Sequence, residues 1–426
     1  MRIRTLAASL TLGFAALAGC RSGETLDSPA VVDPSFVRYV AMGNSITAGF
    51  ESAGINDSTQ QRAYPSLLAA AMGTSFTYPS LTMPGCPAPF DNNTLQHRVG
   101  GAAATDCGLR GPTPLVLNNL AVPGNSVLTL LTNFGGLPSA YEPLRLFMLG
   151  GYTELQMMQK AQPTFVTLWI GNNDVLGAFT DLSNAGDTTQ ITPVAQFNRE
   201  YDSVATAIAA TGAKTVLVSV GNVTNIPFAS AAAIYYCLKN GGCPAPLPPQ
   251  NPVLAGIPTF TVNVNCAPPG GLQILVQWPI ALGKVDSALA GAPTSIDCSN
   301  AAQVISPEET LAMITAVTAY NAHIQTVATA NGWAYWDVNT VLAAARANGT
   351  IPPLPDFSAA LVPPPATPGP ITFGPLFTQD GVHPSGLANQ VVADSLAATI
   401  NAFYFPGTQM LPVPICGTIT CPPINP

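Results

Sequence analysis

Three apolar runs in this chain end in the same way, and they constrain its fold more than any other feature. Each run is rich in β-branched or aromatic residues and stops at a glycine followed by an asparagine, and the runs cover residues 36–42, 164–170 and 215–220. This pattern is typical of a buried strand that breaks into a loop. Helical patterns lie between the runs, so strands and helices alternate. The alternation predicts an α/β fold with a parallel sheet flanked by helices.

Further elements follow from the same periodicities. Shorter strand-like segments lie at 76–78, 119–122 and 333–338, of which the last is expected to be the fifth strand of a sheet with about five strands. Helices are predicted at 64–72, 194–211, 307–331 and 387–403, the third of which has a proline at its start.

Composition excludes several classes of function. Charged residues make up 8% of the chain, against a usual ~25%, while hydrophobic residues make up 47%, which is ample for a core. The chain has 14 basic and 22 acidic residues. Removal of the signal peptide expected at residues 1–19 would take away Arg2 and Arg4 and leave 12 basic residues. The chain therefore lacks the basic surface that nucleic-acid binding needs. No Cys-x-x-Cys pair exists and the three histidines are scattered, so we expect neither a metal nor a cofactor.

The N-terminus is typical of an exported protein. Residues 6–18 form an apolar core too short to span a bilayer. The core ends in Leu17-Ala18-Gly19-Cys20, which resembles a bacterial lipobox and implies lipid on Cys20; an ordinary secretory cleavage site beside a chance cysteine is the alternative. Arg21 then implies, by analogy, the outer membrane or cell surface. We expect a signal peptide at 1–19, a lipid-anchored tether at 20–34 and a monomeric protein.

The remaining eight cysteines suit an oxidising compartment. Eight cysteines allow 105 connectivities, and short spacings suggest one of them. The suggested pairs are Cys86–Cys107, Cys237–Cys243, Cys266–Cys298 and Cys416–Cys421.

Three insertions interrupt the main domain, which we place at 35–405, ahead of a Pro-rich tail at 406–426. The insertions cover 79–114, 225–305 and 351–375 and are rich in proline. Long insertions in a compact domain are usually functional or disordered, so they are expected to wall the cleft or form a lid, with surface decoration as the alternative. Their aromatic residues could line an apolar channel or form small cores of their own, and these residues are Tyr235, Tyr236, Phe260 and Trp278.

Asp380 and His383 lie three residues apart on one predicted turn. A serine hydrolase needs an imidazole as base and a carboxylate that orients it, and this turn supplies both. The structural alternative is a helix start, with Asp380 near the cap and Pro384 in the first turn. His97 and His323 are given no role.

Ser45 directly follows the first apolar run, at the carboxyl end of a predicted strand, where open α/β sheets bind ligands. A turn serine that caps the next helix is the alternative. No Gly-x-Ser-x-Gly elbow surrounds it. Gly124 and Asn173 follow two other strand-like runs and could donate hydrogen bonds to an oxyanion, although each alone is more often an ordinary turn residue.

In this order, four blocks resemble those of the SGNH (GDSL-type) hydrolase family. The blocks are Gly43-Asn44-Ser45, Gly124, Gly171-Asn172-Asn173-Asp174 and Asp380-Gly381-Val382-His383-Pro384. The resemblance implies Ser45 as nucleophile, His383 as acid and base, and Asp380 as its orienter. It also implies an oxyanion hole from Ser45, Gly124 and Asn173, and a flavodoxin-like three-layer α/β/α sandwich. The cysteine spacings of this chain add disulfide-bearing loop insertions to that fold. One departure is Asn44, where the family usually has aspartate.

The four blocks and the family resemblance favour a carboxylester hydrolase of the esterase or lipase type that works through an acyl-enzyme. An O-acyltransferase or deacetylase that acts on glycans would use the same triad. A surface binding module that has kept the fold without catalysis is a third possibility. The acyl preference stays open, and the scarcity of charge near the blocks leans toward uncharged esters.

Overall fold

The computed structural model describes residues 30–108, 111, 116–132, 142–362 and 366–423. The expected signal peptide, the lipidation site Cys20 and most of the tether lie outside these residues. The helices are α1 (Ser45–Ala48), α2 (Asp57–Arg62), α3 (Tyr64–Met72), α4 (Val127–Leu131), α5 (Glu142–Leu149), α6 (Glu154–Ala161), α7 (Asn173–Thr180), α8 (Val194–Ala209), α9 (Ala232–Asn240), α10 (Pro252–Ala255), α11 (Trp278–Leu289), α12 (Pro307–Asn331), α13 (Val338–Ala347) and α14 (Gly386–Tyr404). The strands are β1 (Tyr39–Gly43), β2 (Phe90–Asn92), β3 (His97–Arg98), β4 (Phe165–Trp169), β5 (Lys214–Val218), β6 (Ala229–Ala231), β7 (Phe260–Val262), β8 (Leu275–Gln277), β9 (Thr294–Ile296) and β10 (Ala334–Trp336).

The central sheet is parallel, with the strand order β1-β4-β5-β10. Gly43 pairs with Trp169 at the ends of β1 and β4, and Trp336 pairs with Val218 at the ends of β10 and β5. The carboxyl ends of all four strands therefore lie at one edge of the sheet. The α/β fold with a parallel central sheet is confirmed.

Two of the predicted strands differ in the structure. The segment at 119–122 meets β1 only through a parallel bridge between Asn119 and Ala41, so it extends the sheet without forming a regular strand. The prediction of a strand at 76–78 is wrong. The carbonyl of Thr77 instead accepts hydrogen bonds from the N–H groups of Asn118 and Asn119, which ties the segment to a neighbouring loop.

Side chains of the sheet alternate between two cores, which gives three layers. Val40, Val166 and Leu217 face a core that α6, α8 and α12 cover. Ala41 and Val216 face the opposite core, which α3 and α14 cover. Among the described residues, none of the helices combines the length and the apolarity that crossing a membrane requires.

The insertions form small structures of their own. Residues 79–114 contain the β2–β3 hairpin, and residues 225–305 contain the pairs β6–β8 and β7–β9 around a separate apolar core. Tyr235 and Phe260 lie in that core, with Tyr236 packed against it, so these aromatic residues serve the insertion itself. The four disulfides join Cys86 to Cys107, Cys237 to Cys243, Cys266 to Cys298 and Cys416 to Cys421, as the spacings suggest.

The segment after α14 packs back on the domain. Leu411 and Ile415 are buried in the core beneath α14, and the N–H of Ile415 donates to the carboxylate of Asp394 at 2.7 Å. The described part of the tail is therefore docked on the domain surface.

Candidate active site

Ser45 stands at the first position of α1, directly beyond the end of β1. The side chain of Asn44 caps this helix by accepting a hydrogen bond from the N–H of Ile46 at 3.1 Å. Gly43 is required before it, since a Cβ there would lie 2.4 Å from Thr47 Oγ1 and 2.5 Å from the carbonyl oxygen of Trp169. The closely packed turn from β1 into α1 holds Ser45 at the carboxyl edge of the sheet, where the residue is 7% exposed.

His383 reaches Ser45 from the other end of the chain. Its Nε2 lies 2.8 Å from Ser45 Oγ, and its Nδ1 lies 2.8 Å from Asp380 Oδ2. The ring packs against Phe50, with 4.8 Å between ring centroids. The helix that follows begins at Gly386 with Ser385 as its cap, so Asp380 does not serve as that cap. The structure thus brings Ser45, His383 and Asp380 into one hydrogen-bonded line.

Asp380 is held in its charged form by the groups around it. Its carboxylate accepts hydrogen bonds from the N–H groups of Val382 and His383, each at 2.9 Å, and of Ala53 at 2.7 Å. Burial raises the pKa of Asp380, but the charge of His383 and these hydrogen bonds outweigh it and lower the pKa to about 2. An ionised Asp380 can fix the imidazole tautomer and stabilise an imidazolium.

Gly124 lies in the loop before α4, and Asn173 is the first residue of α7. The side-chain amide of Asn173 donates to the carbonyl oxygen of Asn125 at 2.8 Å, which ties it to the loop of Gly124. An amide nitrogen carries two hydrogens, so one N–H of Asn173 remains for another acceptor. Ser45, Asn173 and His383 line a common cleft, of which Gly124 is not a lining residue. Gly124 has a φ of +86°, a conformation that glycine adopts without strain.

A model of the family described as GDSL-like lipase/acylhydrolase matches residues 39–396. The chain belongs to this family. The resemblance carried by the four sequence blocks is confirmed, and the protein is a hydrolase that acts on ester bonds.

Solved structures that match the chain include an acetyl xylan esterase, AlAXEase, and an extracellular lipase from Streptomyces rimosus. The esterase is 14% identical, with a TM-score of 0.34, and the match covers 85% of this chain and 99% of the esterase. The lipase is 14% identical, with a TM-score of 0.36, and the match covers 86% of this chain and 98% of the lipase. No curated protein matches the chain.

In this GDSL-like chain, the side chain of Asn44, where the family usually has aspartate, has a hydrogen-bond partner in the third block. The amide nitrogen of Asn44 lies 3.5 Å from the side-chain oxygen of Asn172, in the block that also holds Asn173. Aspartate at this position has no N–H to donate. Asparagine therefore links the first and third blocks directly, while the cap on Ile46 needs only the side-chain oxygen that both residues carry.

All three insertions contact the turn that carries Asp380 and His383. From the first, Asn93 donates to the carbonyl oxygen of Gln379 at 2.6 Å. From the second, Trp278 Nε1 donates to the carbonyl oxygen of Asp380 at 3.2 Å. From the third, the Phe373 ring lies 2.8 Å from where a Cβ on Gly381 would stand. The insertions thus hold this turn in position, which spacing in the sequence does not reveal.

Two buried acids hold the loop of Gly124, and sequence reasoning gave them no role. Glu154 accepts hydrogen bonds from the N–H of Gly43 at 2.9 Å, from the N–H of Val122 at 3.3 Å and from the side chain of Asn125. Burial outweighs these bonds and raises the pKa of Glu154 to about 8. The Thr-x-x-Gln pattern around Glu154 signals only a helix start, because Thr153 and Gln156 form a capping box.

Asp174 is the second of these acids. Its carboxylate accepts from the N–H of Val127 at 3.0 Å and from the hydroxyl of Thr192 at 2.9 Å. Burial raises the pKa of Asp174 to about 7. Val127 opens the helix after Gly124, so Asp174 anchors the far end of the same loop.

The other two histidines also pair with carboxylates. His97 Nδ1 lies 2.5 Å from Asp91, and His323 Nε2 lies 2.8 Å from Asp202. In the part of the chain that the structure describes, Ser45 is the serine whose hydroxyl meets an imidazole. The absence of a role for His97 and His323 stays a prediction.

Proposed function

We propose that the protein is a serine carboxylester hydrolase that works through an acyl-enzyme on Ser45. The observation that carries the proposal is the line from Ser45 Oγ through His383 to Asp380, with both hydrogen bonds at 2.8 Å. Ser45 Oγ attacks the ester carbonyl carbon while His383 takes its proton and then gives it to the departing alcohol. Water repeats the sequence, so that the acid leaves and Ser45 is restored.

The oxyanion of each tetrahedral intermediate is stabilised by three donors in this proposal. The N–H of Ser45 stands at the first position of a helix, where backbone N–H groups have no acceptor within the helix. The N–H of Gly124 and the second N–H of the Asn173 amide are the other donors. Loss of one donor at such a site typically costs ~10²–10³ in rate.

The test of the nucleophile is Ser45→Ala. We expect the variant to lose cleavage of p-nitrophenyl acetate and labelling by a fluorophosphonate, while its circular dichroism and Tm match the parent. Ser203→Ala, on the exposed surface of α8, is the matched control and keeps full activity. A Ser45→Ala protein that retains more than a few per cent of the rate would refute the assignment.

Product analysis tests the acceptor. With water as the acceptor, one free acid appears for each ester cleaved, even when a sugar is present in excess. An acylated sugar that forms faster than free acid would instead identify an acyltransferase.

We also propose that the protein is exported and anchored by lipid on Cys20. The proposal is supported by the lipobox-like sequence at 17–20 and by the apolar segment ahead of it.

A further inference from the structure

The cleft beside Ser45 continues beneath α14 as a cavity of about 100 Å³. It runs along the carboxyl edge of the sheet, from the end of β1 past the ends of β4 and β5 to β10. Trp169 and Trp336 line it from the sheet, Leu342 from α13, and Val391 from α14. Ser45 and His383 also line this cavity, so a group attached to Ser45 Oγ has direct access to it.

Among the described residues that line the cavity, His383 is the one titratable side chain, and no Asp, Glu, Lys or Arg contributes to the lining. The other hydrogen-bonding side chains, apart from the two tryptophans, are Asn44, Ser45, Asn172 and Asn173, at the ends of β1 and β4. A second cleft, which shares Phe377 with the first, contains charged side chains such as Glu51, Arg62 and Asp91 among its apolar lining residues. The cavity beside Ser45 is therefore the less polar of the two, and burial of apolar groups favours it for an alkyl chain.

We propose that the apolar cavity binds the acyl chain of the ester as an extended alkyl group of medium length, and that Gly221 keeps the cavity open. This inference rests on the proposed role of Ser45. The acyl group becomes bonded to Ser45 in the first step, as the alcohol departs, and is released only when water attacks in the second step. Strands lie about 4.8 Å apart, so the cavity spans roughly 14 Å from β1 to β10, which suits about eight to ten carbons in extended form.

Gly221 lies midway along this path, at the end of β5. A Cβ at this position would lie 3.4 Å from Leu342 Cδ1, 3.4 Å from Asn172 Nδ2 and 3.8 Å from Val338 Cγ1, which are ordinary contact distances. Its φ is outside the left-handed region, so other residues fit its backbone. A small side chain is therefore tolerated, while a larger one would extend among Leu342 and Val338 and fill the cavity.

The test is the acyl-chain profile of Gly221→Leu. The kcat/KM of the full-length protein is measured on p-nitrophenyl esters from acetyl to palmitoyl. We expect the parent to prefer octanoyl or decanoyl over acetyl, and Gly221→Leu to lower the decanoyl-to-acetyl ratio at least about tenfold. Gly221→Ala shifts the ratio less, in the same direction. Gly283→Leu is the matched control and keeps the parent ratio, because Gly283 is exposed on α11 with no atom within 4 Å of its Cβ position.

Leu342→Ala removes the side chain that lies next to Gly221 and so enlarges the cavity at that position. We expect the acyl-chain length of highest kcat/KM to increase in this variant. This second variant tests the proposal even if Gly221→Leu fails to fold. A second series of acetate esters with alkyl alcohols of growing length separates the two halves of the substrate. An unchanged acyl profile in Gly221→Leu and Leu342→Ala, or a shift in the alcohol series instead, would overturn the acyl assignment while leaving the hydrolase intact. Residual cleavage by Ser45→Ala would overturn the hydrolase itself.

Discussion

Asp380, Glu154 and Asp174 lie in or beside the candidate site, and their hydrogen-bond partners divide these carboxylates into two kinds. Asp380 faces the imidazole of His383, whose charge and hydrogen bonds lower the pKa of the carboxyl group to about 2. Glu154 and Asp174 meet mainly neutral N–H and hydroxyl donors, so burial raises the pKa of Glu154 to about 8 and of Asp174 to about 7. The charge of Arg145 lowers the pKa of Glu154 but does not compensate for burial.

The raised pKa of Glu154 predicts a stability that falls as pH rises. The folded chain holds a proton on Glu154 up to about pH 8, whereas a glutamate in the unfolded chain has its ordinary pKa of 4.5. This contribution is therefore complete below pH 4.5 and is lost progressively as the pH rises through about 8. Glu154→Gln has no proton to lose, so its free energy of unfolding should depend less on pH by up to ~1.4 kcal/mol per pH unit.

The measurement is the free energy of unfolding of Glu154→Gln between pH 5 and 9. Asp174 titrates in the same direction and remains in both proteins, so some pH dependence survives the change. Glu308→Gln replaces an exposed glutamate at the start of α12 and should follow the parent curve. If Glu154→Gln also runs parallel to the parent, then Glu154 does not carry the effect.

At the scale of the elements, the insertions are tied to the site by single buried side chains. Asn93 is fully buried, and its amide nitrogen donates to the carbonyl oxygens of Ile371 at 3.1 Å and Gln379 at 2.6 Å. Its oxygen accepts from the N–H of Ile371 at 2.9 Å. One residue of the first insertion thus joins the third insertion to the turn of Asp380.

Asn93→Ala should weaken both the fold and the reaction. It leaves buried carbonyl and N–H groups without a partner, which costs about 1–3 kcal/mol for each group. The turn of Asp380 then loses one of its supports, so we expect a lower kcat as well as a lower Tm, measured on the same preparation. Asn265→Ala changes an exposed side chain of the second insertion and should leave both values near those of the parent. An Asn93→Ala protein with a lower Tm but an unchanged kcat would show that the insertion stabilises the fold without positioning the turn.

The elements predicted well from the sequence are those with strong local signals. The helices at 64–72 and 307–331 have the predicted bounds, because Pro65 and Pro307 mark their starts and Gly73 and Gly332 end them with positive φ. The strands of the insertions have two or three residues, which is too few to show the alternation of apolar and polar residues. Sequence periodicity therefore does not predict them. The segments at 76–78 and 119–122 contact each other through backbone groups about 40 residues apart, which local preference does not determine.

The candidate site also contains residues that the sequence predicts and residues that it does not predict. Ser45 and Asn173 are predicted from motifs at the ends of apolar runs, and the turn of Asp380 is predicted from its three-residue spacing to His383. The supports of that site are not predicted, since Asn93 and Gln379 are far apart in the chain and Glu154 is preceded by nothing more than a cap signal. Burial of a polar residue depends on the tertiary structure around it, and a single sequence does not record it.

At the scale of the whole molecule, the cross-links lie outside the central sheet. Two disulfides lie in the second insertion, one in the first and one in the tail, so each closes a peripheral segment of the chain. Only 8% of the residues are charged, so the peripheral segments have few charges with which to form ion pairs. Covalent links restrict the unfolded ensemble of such segments, which fits the export predicted from the N-terminus.

The proposed export and lipid anchor are tested at Cys20. One acyl chain binds a membrane only marginally, and stable anchoring needs a second chain or another signal. Several chains on Cys20 would meet that need, whereas an ordinary cleavage site would leave no lipid at all. In a Gram-negative host fed an alkyne-tagged fatty acid, we expect the parent to be labelled and Cys20→Ala to be unlabelled. Equal labelling of both proteins would contradict the anchor. Arg21→Asp should stay labelled but move from the outer to the inner membrane fraction, because the analogy with lipoproteins makes residue 21 the sorting position.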